Sequence, residues 1–347
     1  MAATPVGRQG QGVRNVDAVF GGGSSGRQMT NGPHCMDMVS HPRDIARFVV
    51  ECAEARIGVA LVFVTAVDGG SMREPGLRMA ASITGATAGY VSNGCVEADL
   101  VAQARKAIVE NRPAAVQYGR GSGRIDMVLP CGGRIELLIY PVADHHLPAL
   151  RAMIEAERET GMIALATDGS LRWDHGAQPV APGAAAYMVR PKIRLLIVGA
   201  GVETLALARL ASAADMQVDL VSPDDVTLTK ARDARISVQG LRGLSSPVDL
   251  RIDGGTAIAL MFHDHEWEQM VLLQALDTDA FYVGALGSRR AHARRVEDLV
   301  ASGCSNEGIA RIKAPIGLVH RLRDPHLIAA SVIAEIAAAF QERFAAF

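Results

Sequence analysis

Residues 194–211 read RLLIVGAGVETLALARLA, and their reading decides the fold. A short apolar run ends on Gly199, Ala200 and Gly201, after which Val202, Leu205 and Leu207 begin an apolar pattern of helical character. That order is strand, tight turn, helix, and glycines at such a turn let backbone amides approach an anion at a helix N-terminus. The same alternation continues downstream. QVDLVS (217–222), TAIALMF (256–262) and AFYVGAL (280–286) are short apolar runs of strand length, and a helical segment spans about Trp267 to Leu276. DPHLIAASVIAEIAAAFQERF (324–344) opens with Asp324 and Pro325 as start signals and reads as a closing helix.

Strands alternating with helices predict a doubly wound parallel sheet, here a Rossmann-like C-terminal domain over 192–347. Two features argue against an NAD(P) site in its first turn. Thr204 stands where the third glycine of a dinucleotide fingerprint belongs, and VSPDD places Ser222 and Pro223 where a ribose-binding acid is expected. An NAD(P)-dependent oxidoreductase using the Gly199 turn is the alternative reading.

Upstream the pattern differs. Residues 1–40 are rich in Gly, Ser, Arg and Gln without apolar periodicity, which predicts a flexible tail. SHPRDIARFVVECAEAR (40–56) predicts a helix with Cys52 on its buried face, and ALVFVTAV (60–67) a buried strand. A hairpin from Met79 to Tyr90, a helix from about Asp99, and the alternating strand RIELLIYPV (134–142) complete an N-terminal α+β domain over 41–150. HLPALRAMIEAERE (146–159) reads as a helix, and residues 151–191 as a connector with short strands.

Composition excludes several classes. The chain of 347 residues has a formal net charge of −2, so no overall basic field favours nucleic acid or an anionic membrane. No apolar run approaches a membrane span, and the first residues lack a secretory apolar core. Five cysteines, an odd number without a CxxC pair, argue against a disulfide framework or structural zinc. A cytoplasmic location follows as the expectation.

Several loops carry candidate chemistry. GGSMREPGLRM (69–79) combines glycines with Ser71 and Arg73, an anion-facing combination or a plain hairpin. In GYVSNGCVEADL (89–100), Cys95 follows Gly94 with Glu97 two residues on, and in LPCGG Cys131 precedes Gly132 and Gly133. Thiols flanked by glycine can lie open to a ligand, and a soft thiolate suits a soft metal. Asp264, between His263 and His265, reads as a polar site edge. Gly287, Ser288, Arg289 and Arg290 join a glycine, a hydroxyl and two guanidiniums at a helix start, a combination fit for phosphate or a solvated turn.

Taken in order, GGSMREPGLRM, GYVSNGCVEADL, PCGGRIELLI, LLIVGAGVETLALARLA, FYVGALGSRRAHARRVEDL and RIKAPIGL resemble the XdhC/CoxI family, accessory proteins of molybdenum hydroxylases such as xanthine dehydrogenase. The resemblance implies an N-terminal XdhC/CoxI-type domain and a non-catalytic chaperone. It would bind the molybdenum cofactor, as molybdopterin or its cytosine dinucleotide form, shield it during sulfuration, and deliver it to an apo-hydroxylase. It further implies a homodimer and a cysteine desulfurase or other sulfur donor as partner. The cofactor's phosphate would meet the glycine and arginine loops, Gly199 and Gly201 included, and its metal end Cys95 or Cys131. A docking protein that holds no cofactor is a third reading. Glu74, and Val319 to Leu322 after Gly317, depart from the family pattern.

Overall fold

A computed structural model describes residues 40–69, 74–92, 94, 96–121, 132–166, 168–176, 185–243, 252–262 and 265–345. The expected tail lies outside them. α1 (Pro42–Glu54) starts with Pro42 in its first turn and His41 as cap, whose ring accepts the Arg43 N–H. Next come β1 (Val59–Asp68), β2 (Gly76–Ser82), β3 (Thr87–Gly89), α2 (Glu97–Glu110), β4 (Ala114–Gly119) and β5 (Arg134–Pro141). The five strands form a sheet in the order β3-β2-β1-β5-β4, with β1 antiparallel to both neighbours. Strand β1 is central and covered on both faces, which is why its sequence is an unbroken apolar run. Leu61 and Phe63 face α1, while Ala60, Val62 and Val64 face Leu100 and Ala104 of α2. β5 alternates half-buried and buried residues along its length, as its sequence predicts.

α3 (Leu147–Glu155) is shorter than the helix expected over 146–159. Its end meets Arg43, a side chain only 1% exposed. The Arg43 guanidinium donates to the carbonyls of Met153, Ala156 and Glu159, at 2.9, 2.8 and 2.6 Å, so the last carbonyls of the helix are bound from outside and the chain turns away. β6 (Gly161–Leu165), β7 (Leu171–His175) and β8 (Ala185–Val189) then make a small antiparallel sheet in the order β7-β6-β8. Ile163, Leu165 and Leu171 join the same apolar cluster as α1 and α3.

The second half contains β9 (Arg194–Gly199), α4 (Val202–Ala213), β10 (Gln217–Ser222), α5 (Asp225–Asp233), β11 (Ser237–Gly240), β12 (Thr256–Met261), α6 (His265–Leu276), β13 (Tyr282–Ala285), α7 (Arg289–Ala301), α8 (Asn306–Ala310), β14 (Ile312–Lys313) and α9 (Pro325–Ala345). Its six strands are parallel in the order β11-β10-β9-β12-β13-β14. This is the doubly wound arrangement expected, with the strand order reversing between β9 and β12. α4, α5 and α9 cover one face, and α6 and α7 cover the other.

Polar contacts join the halves. Lys192 reaches Asp44 of α1 at 2.7 Å and Asp215 at 3.0 Å, and Arg158 grips Asp253 through two hydrogen bonds of 2.7 and 2.8 Å. Bidentate geometry makes the second contact the more directional. No described helix is long and apolar enough to cross a membrane.

Candidate functional site

The antiparallel order brings three expected loops to one edge of the five-stranded sheet. β1 ends there at Asp68, β2 begins at Gly76, β3 ends at Gly89, β4 ends at Gly119 and β5 begins at Arg134. The segments 69–76, 90–96 and 120–133, which hold the glycine, thiol and arginine candidates, therefore share flanks on that edge. Ser71, Arg73, Cys95 and Cys131 themselves lie outside the described residues.

Glycine sets how closely those flanks approach. A Cβ on Gly119 (φ +88°) would stand 2.0 Å from the Gly133 carbonyl oxygen, and one on Gly69 would stand 3.1 Å from the Gly133 Cα. Only backbone fits between β1, β4 and β5 here. Gly94 and Gly132 differ: both have positive φ, and an added Cβ would meet nothing within 4 Å. Close packing against described residues therefore does not require glycine at either position.

Glu97 heads α2, whose cap residue Val96 has no capping side chain. Its carboxylate reaches back instead. Oε1 accepts the N–H groups of Val91 (3.1 Å) and Ser92 (2.5 Å), while Oε2 accepts the Ser92 hydroxyl (2.7 Å) and the N–H groups of Gly94 (3.0 Å) and Val96 (3.3 Å). Burial pushes the carboxyl's pKa upward, but the hydrogen bonds from Ser92 and Val91 outweigh it and hold the group below the ordinary glutamate value. Glu97 supports the loop that carries Cys95, and its oxygens are occupied by that loop. Behind it, Tyr118 donates to Asp99 at 2.6 Å.

The parallel sheet holds the remaining candidates. Gly199 permits contact between β9 and β12, since a Cβ there would lie 2.6 Å from the Met261 carbonyl oxygen. Thr204, fully buried, donates to the Ala200 carbonyl at 3.0 Å, so the residue at the third fingerprint position braces the turn through its hydroxyl. Gly201 turns its N–H inward onto the Thr227 hydroxyl at 3.0 Å, and that hydroxyl donates to Asp224 at 2.5 Å. An amide that would face a diphosphate is satisfied by the protein, with a carboxylate behind it. Asp264 lies outside the described residues.

Ser288 caps α7 by accepting the Ala291 N–H at 3.2 Å, and Gly287 to Arg289 line a cavity of about 560 Å³. Arg290 lies exposed next to it and is not among its lining residues. The cavity also takes in Glu203, His320, Arg321 and Arg323, which sequence reasoning passed over as site residues. A signal was present: the 319–323 segment packs a histidine and two arginines just beyond a glycine turn. Among the described residues, no cluster of three or more His, Cys, Asp or Glu is arranged to hold a metal ion.

A Rossmann-type sheet joined to a glycine-edged α+β half defines a two-part α/β protein. Residues 195–336 match the family model described as the XdhC Rossmann domain, and residues 52–119 match that of the XdhC and CoxI family. The chain is 33% identical over 305 residues to the molybdenum cofactor insertion chaperone PaoD of Escherichia coli K12, covering 85% of this chain and 87% of PaoD. It is also 30% identical over 154 residues to the uncharacterized protein YqeB of the same organism, covering 41% of this chain and 26% of YqeB. The chain belongs to the XdhC and CoxI family. A solved structure described as a xanthine dehydrogenase from Bacillus halodurans has the same fold, with a TM-score of 0.68 at 20% identity, covering 87% of this chain and 96% of that one.

Proposed function

We propose that this protein is an accessory factor that takes the molybdenum cofactor as cargo and inserts it into an apo-molybdoenzyme. The observation that carries the reading is the convergence of the flanks of the 69–76, 90–96 and 120–133 segments on one glycine-lined sheet edge, in a chain related along most of its length to PaoD, a molybdenum cofactor insertion chaperone. Cys95 and Cys131 supply soft ligands to the metal end, and Ser71 and Arg73 supply polar contacts beside them. The turn from Gly287 to Arg290 offers amide and guanidinium donors to the phosphate end.

In its finer form, the cargo is molybdopterin or its cytosine dinucleotide. The factor shields it while a cysteine desulfurase or similar donor supplies sulfur, and a hydroxylase of the xanthine dehydrogenase type receives it. A homodimer in the cytoplasm, without nucleic acid or membrane partners, completes the reading. The expected domain division, 41–150 and 192–347 with a connector at 151–191, assigns the metal end to the first part.

Anaerobic titration with released molybdopterin is expected to saturate. Cys95→Ser and Cys131→Ser should lower retention of metal-bearing cofactor while leaving the urea midpoint in place; absence of saturable binding removes the reading. The oxidoreductase alternative predicts tight NADH or NADPH binding at the Gly201 turn, where the Thr227 hydroxyl already takes the amide. Nicotinamide fluorescence measures that binding directly.

A further inference from the structure

We propose that the cavity at the carboxyl ends of β13 and β14 binds a nucleoside diphosphate, and that it replaces the glycine turn of β9 as the phosphate site of this Rossmann-type sheet. The glycine turn is closed to that task. Its Gly201 N–H is held by Thr227, and a phosphate drawn to it would face the Asp224 carboxylate. Like charges at that range repel, and the amide would have to break a bond it already makes.

The cavity has the opposite character. Arg289, Arg321 and Arg323 line it, and none of them forms an ion pair among the described residues. Elsewhere in this half the arginines that face acids are paired: Arg194 with Asp219 at 2.6 Å, and the buried Arg295 with Glu268 at 2.5 Å. Arg289 also stands in the first turn of α7, where a cation opposes the helix dipole and no acidic residue offsets it. Three guanidiniums gathered on one hollow match an anion carrying more than one negative charge.

The loop bearing two of those arginines is anchored. Ser331 and Glu335 lie one helical turn apart on α9; the Ser331 hydroxyl accepts the Val319 N–H at 2.7 Å, and the Glu335 carboxylate accepts the Gly317 N–H at 2.7 Å. Tyr282 of β13 donates to the same carboxylate at 2.5 Å, tying the loop to the sheet. An anchored loop loses little freedom when it binds.

The other walls select the rest of the ligand. Leu286, Ile316 and Ile328 provide an apolar surface for a flat heterocycle. A volume of about 560 Å³ has room for such a body, far more than one phosphate needs. The ligand is therefore a diphosphate carrying a flat base.

The inference deepens the assignment of phosphate to the Gly287 turn, and its test is separable because the probes contain neither pterin nor molybdenum. Isothermal titration of the full chain with ADP, CDP, UDP and inorganic pyrophosphate is expected to show saturable binding of the three nucleotides. Pyrophosphate, which lacks the base, should bind several-fold more weakly. Arg321→Ala and Arg323→Ala, both at exposed positions, should each weaken CDP binding about tenfold, while Thr227→Val binds as the unaltered chain does. No saturable nucleotide binding, pyrophosphate binding as tight as the nucleotides, or unaltered affinity in both arginine variants overturns the proposal. A loss in Thr227→Val equal to that in the arginine variants, with an unchanged melting temperature, returns the phosphate to the glycine turn.

Discussion

Replacing Glu97 by Gln keeps the size of the side chain and exchanges one carboxylate oxygen for an amide nitrogen. Oε1 accepts two backbone N–H groups and Oε2 accepts two more together with the Ser92 hydroxyl. The amide nitrogen costs least in the Oε2 place, where the exposed Gly94 N–H can turn to water and the Val96 N–H keeps the Ser92 hydroxyl at 3.2 Å, but there the bond from the Ser92 hydroxyl is lost and every remaining bond gives up its charged acceptor. At about 1 to 1.5 kcal/mol for a charge-assisted hydrogen bond lost, the variant should lose about 1 to 2 kcal/mol. Urea unfolding at neutral pH measures the total, and hydrogen exchange at Val91, Ser92 and Gly94 places it in the loop. The pH dependence has a fixed sign. The carboxyl is held below its ordinary value, so its contribution is present above the unfolded glutamate pKa and lost as pH falls through the folded one. The gap between the unaltered chain and Glu97→Gln should therefore narrow in acid below the usual glutamate range. A loss under about 0.5 kcal/mol at neutral pH, or unchanged exchange at the three amides, would refute the clamp.

Three further outcomes follow from the packing. Arg43→Met strands the carbonyls of Met153, Ala156 and Glu159, while that of Arg190 keeps the His41 ring N–H at 3.0 Å, and should cost about 3 kcal/mol by denaturant unfolding. His41 is held neutral: burial lowers its pKa from 6.5 to about 4, helped by the Arg43 charge. The unfolded chain takes up that proton first, so stability should fall as pH drops from 6.5 toward 4, by up to about 3 kcal/mol, and His41→Asn should flatten that slope while keeping a cap acceptor. Gly119→Ala puts a methyl 2.0 Å from the Gly133 carbonyl oxygen at a positive φ; a melting temperature unchanged within error would contradict the close approach of β4 and β5.

Much of the architecture was legible in the chain because it is set by local pattern. The 194–211 stretch required a strand, a turn and a helix whatever surrounded it, and the repetition of that unit dictated a parallel sheet. The run at 59–68 announced a strand covered on both faces, and the alternation at 134–141 one with unequal faces. The helix expected to reach residue 159 stops at Glu155 because its stopping signal is Arg43, more than a hundred residues earlier in sequence. No window of sequence contains both groups.

The site divides the same way. Residue type alone marked the glycine loops, the thiols and the arginine turn at 287–290, since glycine freedom, sulfur softness and guanidinium charge belong to the residues themselves. Their joint use belongs to topology. The order β3-β2-β1-β5-β4 carries loops from three distant segments to one edge, and α9 folds back to hold Arg321 and Arg323 beside Arg289. Glu97, marked in sequence with the cofactor loops, clamps its own loop, and Gly201, marked with the glycine turn, gives its N–H to Thr227. Both outcomes turn on hydrogen-bond partners, and a partner is fixed only when the folded chain places one acceptor within about 3 Å of one donor.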